Sequence, residues 1–425
     1  MKVCIEVFGC ALNRSDAMYA RELLEEAGFE ITDDLAECDT VVVFTCIVRR
    51  DSELRSVRRI SDLCKAGKRV VVAGCLASAL PAEALRYCKD ASLLTPSAVS
   101  DIVGVVKGLK KVAHRDTKVF DRVPRVVRGS VATIAVSDGC LDECSFCIVK
   151  RARPYLKSAP IDKVVEAIKK ALRDGAVEIE LTAQDLAVYG VDLYGTYALP
   201  ELLERILEID EDFRLRLGQM NPRHLAQIID RVIDALKDPR VYKHLHIPIQ
   251  SGCDRILNLM NRKHSAELFR EIVKEFRRKI ENVHIATDII VGFPTERESE
   301  FLESAKLIIE MDIDRVHIAR YSPRPLTKAY SMPQVPEPIK KARSSYLESI
   351  YELHALSKNL EFINAVSEGY AVEYDPDRRT VTARLSDYRS VVLRGTKDIV
   401  GKKIRFRITE ATFFDLRGRI MEVID

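Results

Sequence analysis

The chain has 425 residues, of which 47% are apolar and 31% are charged, and its formal net charge at pH 7 is +3. This length is enough for two to four domains with large buried cores. The composition argues against a membrane protein, since no apolar stretch approaches the roughly 20 residues of a spanning helix, and the first residues resemble a strand and a turn rather than a secretion signal.

These features predict a cytoplasmic protein. Disulfides are uncommon in a reducing compartment, so the eleven cysteines are expected to be metal ligands, catalytic thiols or core residues. Residues expected to be core or incidental are Cys4, Cys38, Cys64, Cys88 and Cys253.

Residues 1–104 are predicted to form a parallel α/β domain. The runs KVCIEVFGC, TVVVFTC and KRVVVAGC each precede a helical stretch, an alternation typical of a parallel sheet with crossover helices. Each run ends in a cysteine, namely Cys10, Cys46 and Cys75. Ligands of such sheets lie beyond the carboxyl ends of the strands, so these thiols could converge on one point. Taken singly, each cysteine could also be a small buried core residue.

Residues 105–130 are predicted to be a basic linker. Within it, residues 107–128 contain eight lysines and arginines against two aspartates. A solvated surface is the usual explanation of such a run, and contact with a phosphate backbone is the alternative.

Residues 131–335 are predicted to form a partial (β/α)6 barrel. Amphipathic helical stretches alternate with six strand-like runs, which are VATIAVSD (131–138), AVEIELTA (176–183), FRLRLGQM (213–220), HLHIPIQ (244–250), VHIATDIIVG (283–292) and DRVHIARY (314–321). A barrel two units short of the common eight has a wide lateral opening, which suits a bulky substrate.

A connecting helix (336–362) is predicted to lead into a small antiparallel β-barrel of the OB kind at 363–425. Five short segments with period-two patterning support this fold, which often binds nucleic acid, and a structural cap is the alternative. Residues 389–407 contain seven lysines and arginines against Asp398. Phosphate contacts are expected from Arg389, Arg394, Lys402, Lys403, Arg405 and Arg407, with a solvated barrel surface as the alternative for each.

The segment GCLDECSFC (139–147) places Cys140, Cys144 and Cys147 just past the first barrel strand, at the end where barrel active sites are built. A structural zinc site uses four ligands, and an electron-transfer cluster normally uses four cysteines. Three thiolates can instead hold three irons of a 4Fe-4S cluster and leave the fourth iron open. The spacing therefore favours chemistry at a cluster.

This C-x3-C-x2-C run, with Phe146 before its last cysteine, resembles the radical S-adenosylmethionine superfamily. The resemblance implies that the open iron binds S-adenosylmethionine, whose reductive cleavage yields a 5′-deoxyadenosyl radical. With FGCALNRSDA, TCIVR and AGC added, the whole chain resembles the methylthiotransferases, and HIPIQSGCDRILNLMNR, DIIVGFPTE and YSPRP match motifs along their barrel. The family likeness implies a second 4Fe-4S cluster at Cys10, Cys46 and Cys75 and a C-terminal TRAM module. Phe44 stands where most members have asparagine.

The runs CIVKRARP and YGVD (189–192) resemble the archaeal and eukaryotic branch that modifies N6-threonylcarbamoyladenosine beside the tRNA anticodon, although Pro154 replaces a glycine of that branch. LTAQD (181–185) is also close to the ribosomal-protein methylthiotransferases. The resemblance implies 2-methylthiolation of a tRNA anticodon stem-loop with a low-potential electron donor and a sulfur source. Alternative enzymes are ribosomal-protein and isopentenyladenosine methylthiotransferases. A cluster-stabilised tRNA-binding protein and a cluster-bearing electron carrier are the non-enzymatic alternatives.

Side chains that follow the barrel strands are expected to bind S-adenosylmethionine; they are Phe146, Thr182, Gln184, Asp185, Gln219, Asn221, Gln250, Gly292, Phe293 and Pro294. Asp185 could accept from the ribose, and Phe146 could lie beside the adenine. Turn formation is the alternative for Asn221 and for the Gly292–Pro294 run. Arg151 and Arg153 are expected to meet a substrate carboxylate or phosphate, with a surface ion pair as the alternative. No catalytic residue is assigned beyond the cluster ligands.

Overall fold

A six-stranded parallel sheet forms the first domain of the computed structural model, which describes residues 1–48 and 50–424. The strands, in spatial order, are Glu30–Ile31, Lys2–Val7, Thr40–Thr45, Arg69–Gly74, Ser92–Leu94 and Val112–Ala113. The helices are Ala11–Glu26, Arg50–Lys65, Cys75–Ala79, Pro81–Tyr87 and Ile102–Val106, with a 3-10 turn at Pro96–Asp101. Strand Thr40–Thr45 is buried along its length because helices cover both faces of the sheet. Phe44 is one of these core residues and is wholly buried.

One prediction about the cysteines is wrong. Cys64 and Cys88 form a disulfide with a Cα–Cα distance of 5.8 Å. These residues are 24 positions apart, and the fold brings them together because helix Arg50–Lys65 packs near the end of helix Pro81–Tyr87.

The expected linker at 105–130 contains two short strands. Val112–Ala113 pairs in parallel with Ser92–Leu94 as the edge of the first sheet, and Arg125–Arg128 pairs antiparallel with Val131–Ala135 in the barrel. Their sequences do not stand out because short edge strands are often charged and lack a clear apolar alternation.

Acidic partners neutralise most of the positive charge in residues 107–128. The ion pairs are Lys110–Asp101, Arg115–Asp101, Lys118–Asp16, Lys118–Asp138, Arg122–Glu26, Arg125–Asp174 and Arg128–Glu373. The structure therefore favours an ion-paired surface over a phosphate contact for this stretch.

The predicted partial barrel is confirmed. Its parallel strands are Val131–Ala135, Glu178–Thr182, Arg214–Arg216, His244–His246, His284–Val291 and Arg315–Arg320. The surrounding helices are Ile161–Arg173, Val191–Tyr194, Leu199–Leu207, Pro222–Leu225, Ile229–Lys237, Asp254–Leu259, Ala266–Lys279 and Glu298–Glu310. An isolated bridge between Leu215 and Val241 and a backbone hydrogen bond from Met220 to His246 at 2.9 Å join the two hydrogen-bonded halves of the barrel.

Shorter elements complete this domain. Strand Ser137–Asp138 pairs with Lys157–Ser158, helix Val149–Ala152 follows the cysteine run, and 3-10 turns occupy Leu186–Val188 and Lys328–Ser331. The third and fourth barrel strands are shorter than the apolar runs in their sequences. Residues beyond the strand ends, such as Leu217 and Ile247, are nevertheless buried, which is why their sequence is apolar.

Helix Glu337–Leu360 leads into a closed five-stranded barrel, which confirms the predicted small β-barrel. Its strands, in spatial order, are Val366–Asp375, Thr380–Arg384, Ser390–Arg394, Leu416–Ile424 and Lys403–Ala411, with a 3-10 turn at Lys397–Ile399. Every pair is antiparallel except Ser390–Arg394 with Leu416–Ile424. Backbone hydrogen bonds from Ser130 to Val372 (3.0 Å) and from Lys243 to Ser386 (2.8 Å) attach this barrel to the amino ends of the larger barrel's strands. Across the described chain, no helix combines the length and apolar character needed to traverse a bilayer.

Candidate functional site

Cys140, Cys144 and Cys147, here called the barrel trio, lie in a loop at the carboxyl end of strand Val131–Ala135. The chain turns into this loop at Gly139, whose φ of +81° is a left-handed conformation that glycine adopts readily. The loop is tied to the ends of other strands, because the N–H of Gly139 donates to Oε1 of Gln184 at 2.8 Å.

Donors surround the thiols of the barrel trio. The N–H of Asp142 donates to Sγ of Cys140 at 3.4 Å, and Nη1 of buried Arg262 donates to Sγ of Cys144 at 3.6 Å. Burial raises the pKa of Cys140 to about 12 and also raises the pKa of Cys147. Both thiols must be deprotonated to bind a metal, and nearby N–H and guanidinium donors favour the thiolate form.

Cys10, Cys46 and Cys75, here called the N-terminal trio, come together at the carboxyl edge of the first sheet. Cys46 directly follows strand Thr40–Thr45, whereas Cys10 precedes helix Ala11–Glu26 and Cys75 begins helix Cys75–Ala79. A helix amino end favours a thiolate through its positive dipole. Burial raises the pKa of Cys75 to about 12, and the neighbouring thiols of Cys10 and Cys46 contribute to that rise.

The spacing of both trios is wider than one metal ion requires. In the described ranges, the three-ligand groups whose donor atoms all lie within 4.8 Å of one another are His246–Asp288–His317 and Asp142–Asp185–His224, and neither cysteine trio is so contracted. A tetrahedral zinc ion with Zn–S bonds of about 2.3 Å would hold its sulfur atoms roughly 3.8 Å apart. At least one pair of sulfur atoms in each trio is therefore more than 4.8 Å apart, which a polynuclear iron–sulfur cluster accommodates because each thiolate binds a different iron.

The two trios lie on either side of one domain junction. Helix Val149–Ala152, which begins two residues after Cys147, packs against helix Cys75–Ala79 at the start of which Cys75 lies. At this contact, Oγ of Ser78 donates to the carbonyl of Ala152 at 3.0 Å. A short stretch of chain therefore connects the barrel trio to the surroundings of the N-terminal trio.

The two arginines expected to meet substrate lie in different environments. Arg151 is exposed, and its Nε donates to the carbonyl of Leu326 at 3.3 Å. Arg153 is only 3% exposed, and its guanidinium group donates to Asp16 at 2.5 Å and also to Asp138. Arg153 is therefore a buried link between domains and not a surface contact for substrate.

Four of the residues expected to bind S-adenosylmethionine form a connected group after the second and third strands. Nε2 of Gln219 donates to the carbonyl of Gln184 at 2.5 Å, and the N–H of Asn221 donates to Oδ1 of Asp185 at 3.1 Å. Asp185 is buried, and its Oδ2 has no hydrogen-bond partner within residues 1–48 and 50–424. This arrangement leaves one carboxylate oxygen for a ligand hydroxyl.

Three further candidates lie at the same end of the barrel. Thr182 ends its strand, and Gln250 has a φ of +76° while its N–H donates to the carbonyl of Asp288 at 2.8 Å. Phe146 packs against an apolar cluster that includes Cys253. The cluster places an apolar surface beside the barrel trio.

The Gly292–Pro294 run has mainly structural contacts. A Cβ added to Gly292 would lie 2.2 Å from Cγ of Lys340, and Phe293 is wholly buried with its ring 5.5 Å from that of Tyr321. These contacts favour the turn-forming alternative for Gly292 and Phe293.

Three of the six basic candidates in the C-terminal barrel have acidic partners. Arg389 is paired with Asp387 and, at 2.8 Å, with Asp314 of the larger barrel, so it is a junction residue. Arg405 lies 2.7 Å from Glu368, and Lys403 lies 3.5 Å from the same carboxylate. These pairs reduce the charge that the three residues offer to a phosphate.

Arg394, Lys402 and Arg407 are exposed, and Arg419 extends this positive surface. Arg407 is paired in register with Arg419, and the residues that precede Arg394 and Arg419, Leu393 and Gly418, are paired with each other. In the described chain, Arg394, Arg407 and Arg419 have no ion-pair partner, whereas neighbouring Arg417 lies 3.9 Å from Glu410. Like charges side by side on a sheet are destabilising, so the row suits an anionic partner.

Several residues at the junction have no role predicted from the sequence. Asn13 and Asp16 lie in FGCALNRSDA, and Arg262 lies in HIPIQSGCDRILNLMNR, so the motifs themselves offered a signal for them. Lys118 and Asp138 offered none, because only the fold brings them to Asp16 and Arg153.

Three family models match the chain. They are the radical SAM superfamily over residues 134–308, the uncharacterized protein family UPF0004 over residues 2–95, and the TRAM domain over residues 371–421.

Curated relatives match nearly the whole chain. A probable threonylcarbamoyladenosine tRNA methylthiotransferase of Archaeoglobus fulgidus is 38% identical over 99% of both chains. The human threonylcarbamoyladenosine tRNA methylthiotransferase is 30% identical over 98% of this chain and 74% of its own. Among solved structures, the radical S-adenosylmethionine methyltransferase TsrM from Kitasatospora setae, with cobalamin and a [4Fe-4S] cluster bound, is similar with a TM-score of 0.60. That likeness covers 77% of each chain at 14% identity and concerns the fold alone.

Proposed function

Since this chain belongs to the threonylcarbamoyladenosine tRNA methylthiotransferase family, we propose that it converts N6-threonylcarbamoyladenosine next to the tRNA anticodon to its 2-methylthio derivative. The observation that carries the proposal is the position of two cysteine trios on either side of one domain junction, in a chain that matches family members along 99% of its length. Insertion of sulfur into a C–H bond requires both a radical source and a sulfur carrier, and two neighbouring trios supply a place for each.

The two trios fit two 4Fe-4S clusters. Cys140, Cys144 and Cys147 would hold one cluster, and Cys10, Cys46 and Cys75 would hold the other. When bound, the first cluster would supply the electron that cleaves S-adenosylmethionine, and the second would carry the sulfur that is transferred. The chain must receive that electron from a low-potential donor and that sulfur from a separate source, both in the cytoplasm.

Side chains at the barrel end would bind and shield S-adenosylmethionine. Oδ2 of Asp185 can accept a hydrogen bond from a ribose hydroxyl, and Gln184 and Gln219 hold the backbone around it. The apolar cluster around Phe146 and Tyr321 would exclude water, which protects a reactive radical from side reactions.

The RNA would contact the C-terminal barrel. The row formed by Arg394, Arg419 and Arg407 is exposed and supports a phosphate-backbone contact better than the ion-paired Arg405 and Arg389 do. Such contacts position the RNA but carry no sequence information.

The test is anaerobic reconstitution followed by turnover on defined RNA. The wild-type chain should bind about eight irons, and Cys144→Ala about four, because one cluster loses a ligand. Cys38→Ala is the matched control, since Cys38 is a buried free cysteine that precedes strand Thr40–Thr45, at the sheet edge opposite the N-terminal trio. Mass spectrometry of digested nucleosides should show the 2-methylthio product with the wild type and Cys38→Ala, and none with Cys144→Ala.

Parallel substrates separate the alternatives. Transfer RNA containing threonylcarbamoyladenosine should react, whereas isopentenyladenosine tRNA and a ribosomal-protein peptide should not. Product on either of the latter in place of the former would overturn the substrate assignment. Full iron loading without cleavage of S-adenosylmethionine would instead favour a cluster-stabilised tRNA-binding protein.

A further inference from the structure

A buried arginine from the barrel reaches the N-terminal trio. Arg153 lies six residues after Cys147, yet its side chain is 1% exposed and is held by the N-terminal domain. Its Nη2 donates to Oδ2 of Asp16 at 2.5 Å and to Oδ1 of Asn13 at 3.1 Å. Both acceptors lie on the first turns of the helix that follows Cys10.

The guanidinium group of Arg153 is also close to the thiols. Sγ of Cys75 lies 3.8 Å from the same Asn13 oxygen that accepts from Arg153. The charge of Arg153 lowers the pKa of Cys75, although burial raises that pKa more strongly. In turn, Cys75 and Cys10 act to raise the pKa of Arg153. The arginine therefore interacts with two members of the trio.

The charges of this buried cluster are balanced before any metal is added. Arg153 and Lys118 are the cations, and Asp16 and Asp138 are the carboxylates, with Lys118 lying 3.0 Å from Asp138. All four side chains are buried. Because charges in the interior are weakly screened, three thiolates next to this cluster would respond most strongly to loss of Arg153, the cation that acts directly on Cys75.

We propose that Arg153 is a positioning residue of the N-terminal trio, which holds the Cys10 loop against the barrel and supplies the fixed positive charge for the cluster bound there. The inference rests on the proposed function, because it requires a second cluster. A positive charge beside a cluster favours its reduced form, so Arg153 raises the reduction potential of that cluster. A second buried arginine lies beside the barrel trio: Nη1 of Arg262 is 3.6 Å from Sγ of Cys144.

The test compares two buried cations that share the same carboxylates. Arg153→Met removes the charge next to the thiols, and Lys118→Met removes an equal charge from Asp16 and Asp138, one step farther from Cys75. Each reconstituted variant is titrated against a potential series, with electron paramagnetic resonance following the two clusters separately. Arg153→Met should shift the one-electron reduction equilibrium of the N-terminal cluster at least tenfold toward the oxidised form, which corresponds to about 59 mV.

Two further variants make the result decisive. Arg153→Lys keeps the charge, so its reduction potential should differ from the wild type by at most half of the shift seen in Arg153→Met. Lys118→Met should shift the reduction equilibrium by less than threefold. Where Arg153→Met fails to retain its cluster, Arg153→Gln takes its place in the same titration, because glutamine removes the charge and can still donate a hydrogen bond to Asn13. An equal shift in Arg153→Met and Lys118→Met, or no shift, overturns the inference.

Failure of the proposed function would look different. A wild-type chain that binds only about four irons, or that leaves threonylcarbamoyladenosine tRNA unchanged, would contradict the proposed function itself. A wild-type chain with two clusters and normal turnover, but with no effect of Arg153→Met on the potential, would contradict this inference alone.

Discussion

Replacement of Gly139 by alanine should prevent the barrel trio from binding its cluster. Gly139 has a φ of +81°, and a Cβ added there would lie 2.0 Å from the carbonyl oxygen of Tyr155 and 2.5 Å from its carbon. Real Cβ atoms do not approach backbone that closely, so the loop of residues 139–147 must move. The left-handed conformation costs an alanine about 1–2 kcal/mol, and overpacking adds about 1–3 kcal/mol.

Gly175 provides the matched control. Its φ is +94°, but no atom lies within 4 Å of an added Cβ, so Gly175→Ala bears the conformational cost without the clash. Comparison of the two variants isolates the effect of the close approach to Tyr155.

Iron content and cleavage of S-adenosylmethionine are the assays. Gly139→Ala should still bind about four irons, because the N-terminal trio is untouched. It should lose cleavage of S-adenosylmethionine, because the barrel trio no longer holds its cluster. Gly175→Ala should load fully and lose only about 1–2 kcal/mol of unfolding free energy, read from denaturant titration. If Gly139→Ala binds about eight irons and cleaves at the wild-type rate, the close packing of this glycine does not shape the loop.

Three further changes test other parts of the molecule. Burial raises the pKa of Glu178 to about 7 from an ordinary 4.5, so the free energy of unfolding should fall by about 3 kcal/mol as pH rises from about 4.5 to 7. In urea unfolding, Glu178→Gln should remove this pH dependence, and an unchanged pH dependence would refute the assignment to Glu178. A Cβ on Gly129 would lie 2.2 Å from the carbonyl oxygen of Val372, so Gly129→Ala should weaken the junction of the two barrels by about 1–3 kcal/mol. Filter binding should then show lower affinity for tRNA with S-adenosylmethionine cleavage retained, and equal affinity would contradict the junction's role. Cys64→Ser should cost about 3 kcal/mol of stability, because the disulfide joins Cys64 to Cys88 across 24 positions of sequence. Thermal unfolding is the assay: the wild type should be more stable than the variant without reductant, and the two should unfold alike with it.

Much of the fold was predictable because it depends on local patterns. Alternation of apolar runs with amphipathic helices identified all six barrel strands, and period-two patterning identified the C-terminal barrel. The exceptions are short or charged segments such as Val112–Ala113 and Arg125–Arg128, whose pairing depends on a neighbouring strand edge. The Cys64–Cys88 bond was missed for a similar reason, since it depends on the packing of two helices.

The candidate site was also predictable only in part. The spacing C-x3-C-x2-C and the cysteines at three strand ends are features of the sequence, and the ligand assignment that follows from them stays a prediction until the clusters are measured. Exposure and pairing are not local: Arg153 and Arg389 were expected at a substrate surface, but Arg153 is buried, Arg389 is partly buried, and both form ion pairs between domains. Arg419, which was not expected there, lies in the exposed row beside Arg407.

Residue spacing by itself determined the class of chemistry, because a set of three neighbouring thiols binds metal in a way that depends on number and separation along the chain. The tertiary structure alone decided which charges lie beside those thiols. Arg153 meets Asp16 across 137 positions of sequence, and Lys118 meets Asp138 across 20. Electrostatic interactions depend on distance in space and on burial, so an arginine that follows one cysteine motif in sequence can lie beside the cysteines of another domain.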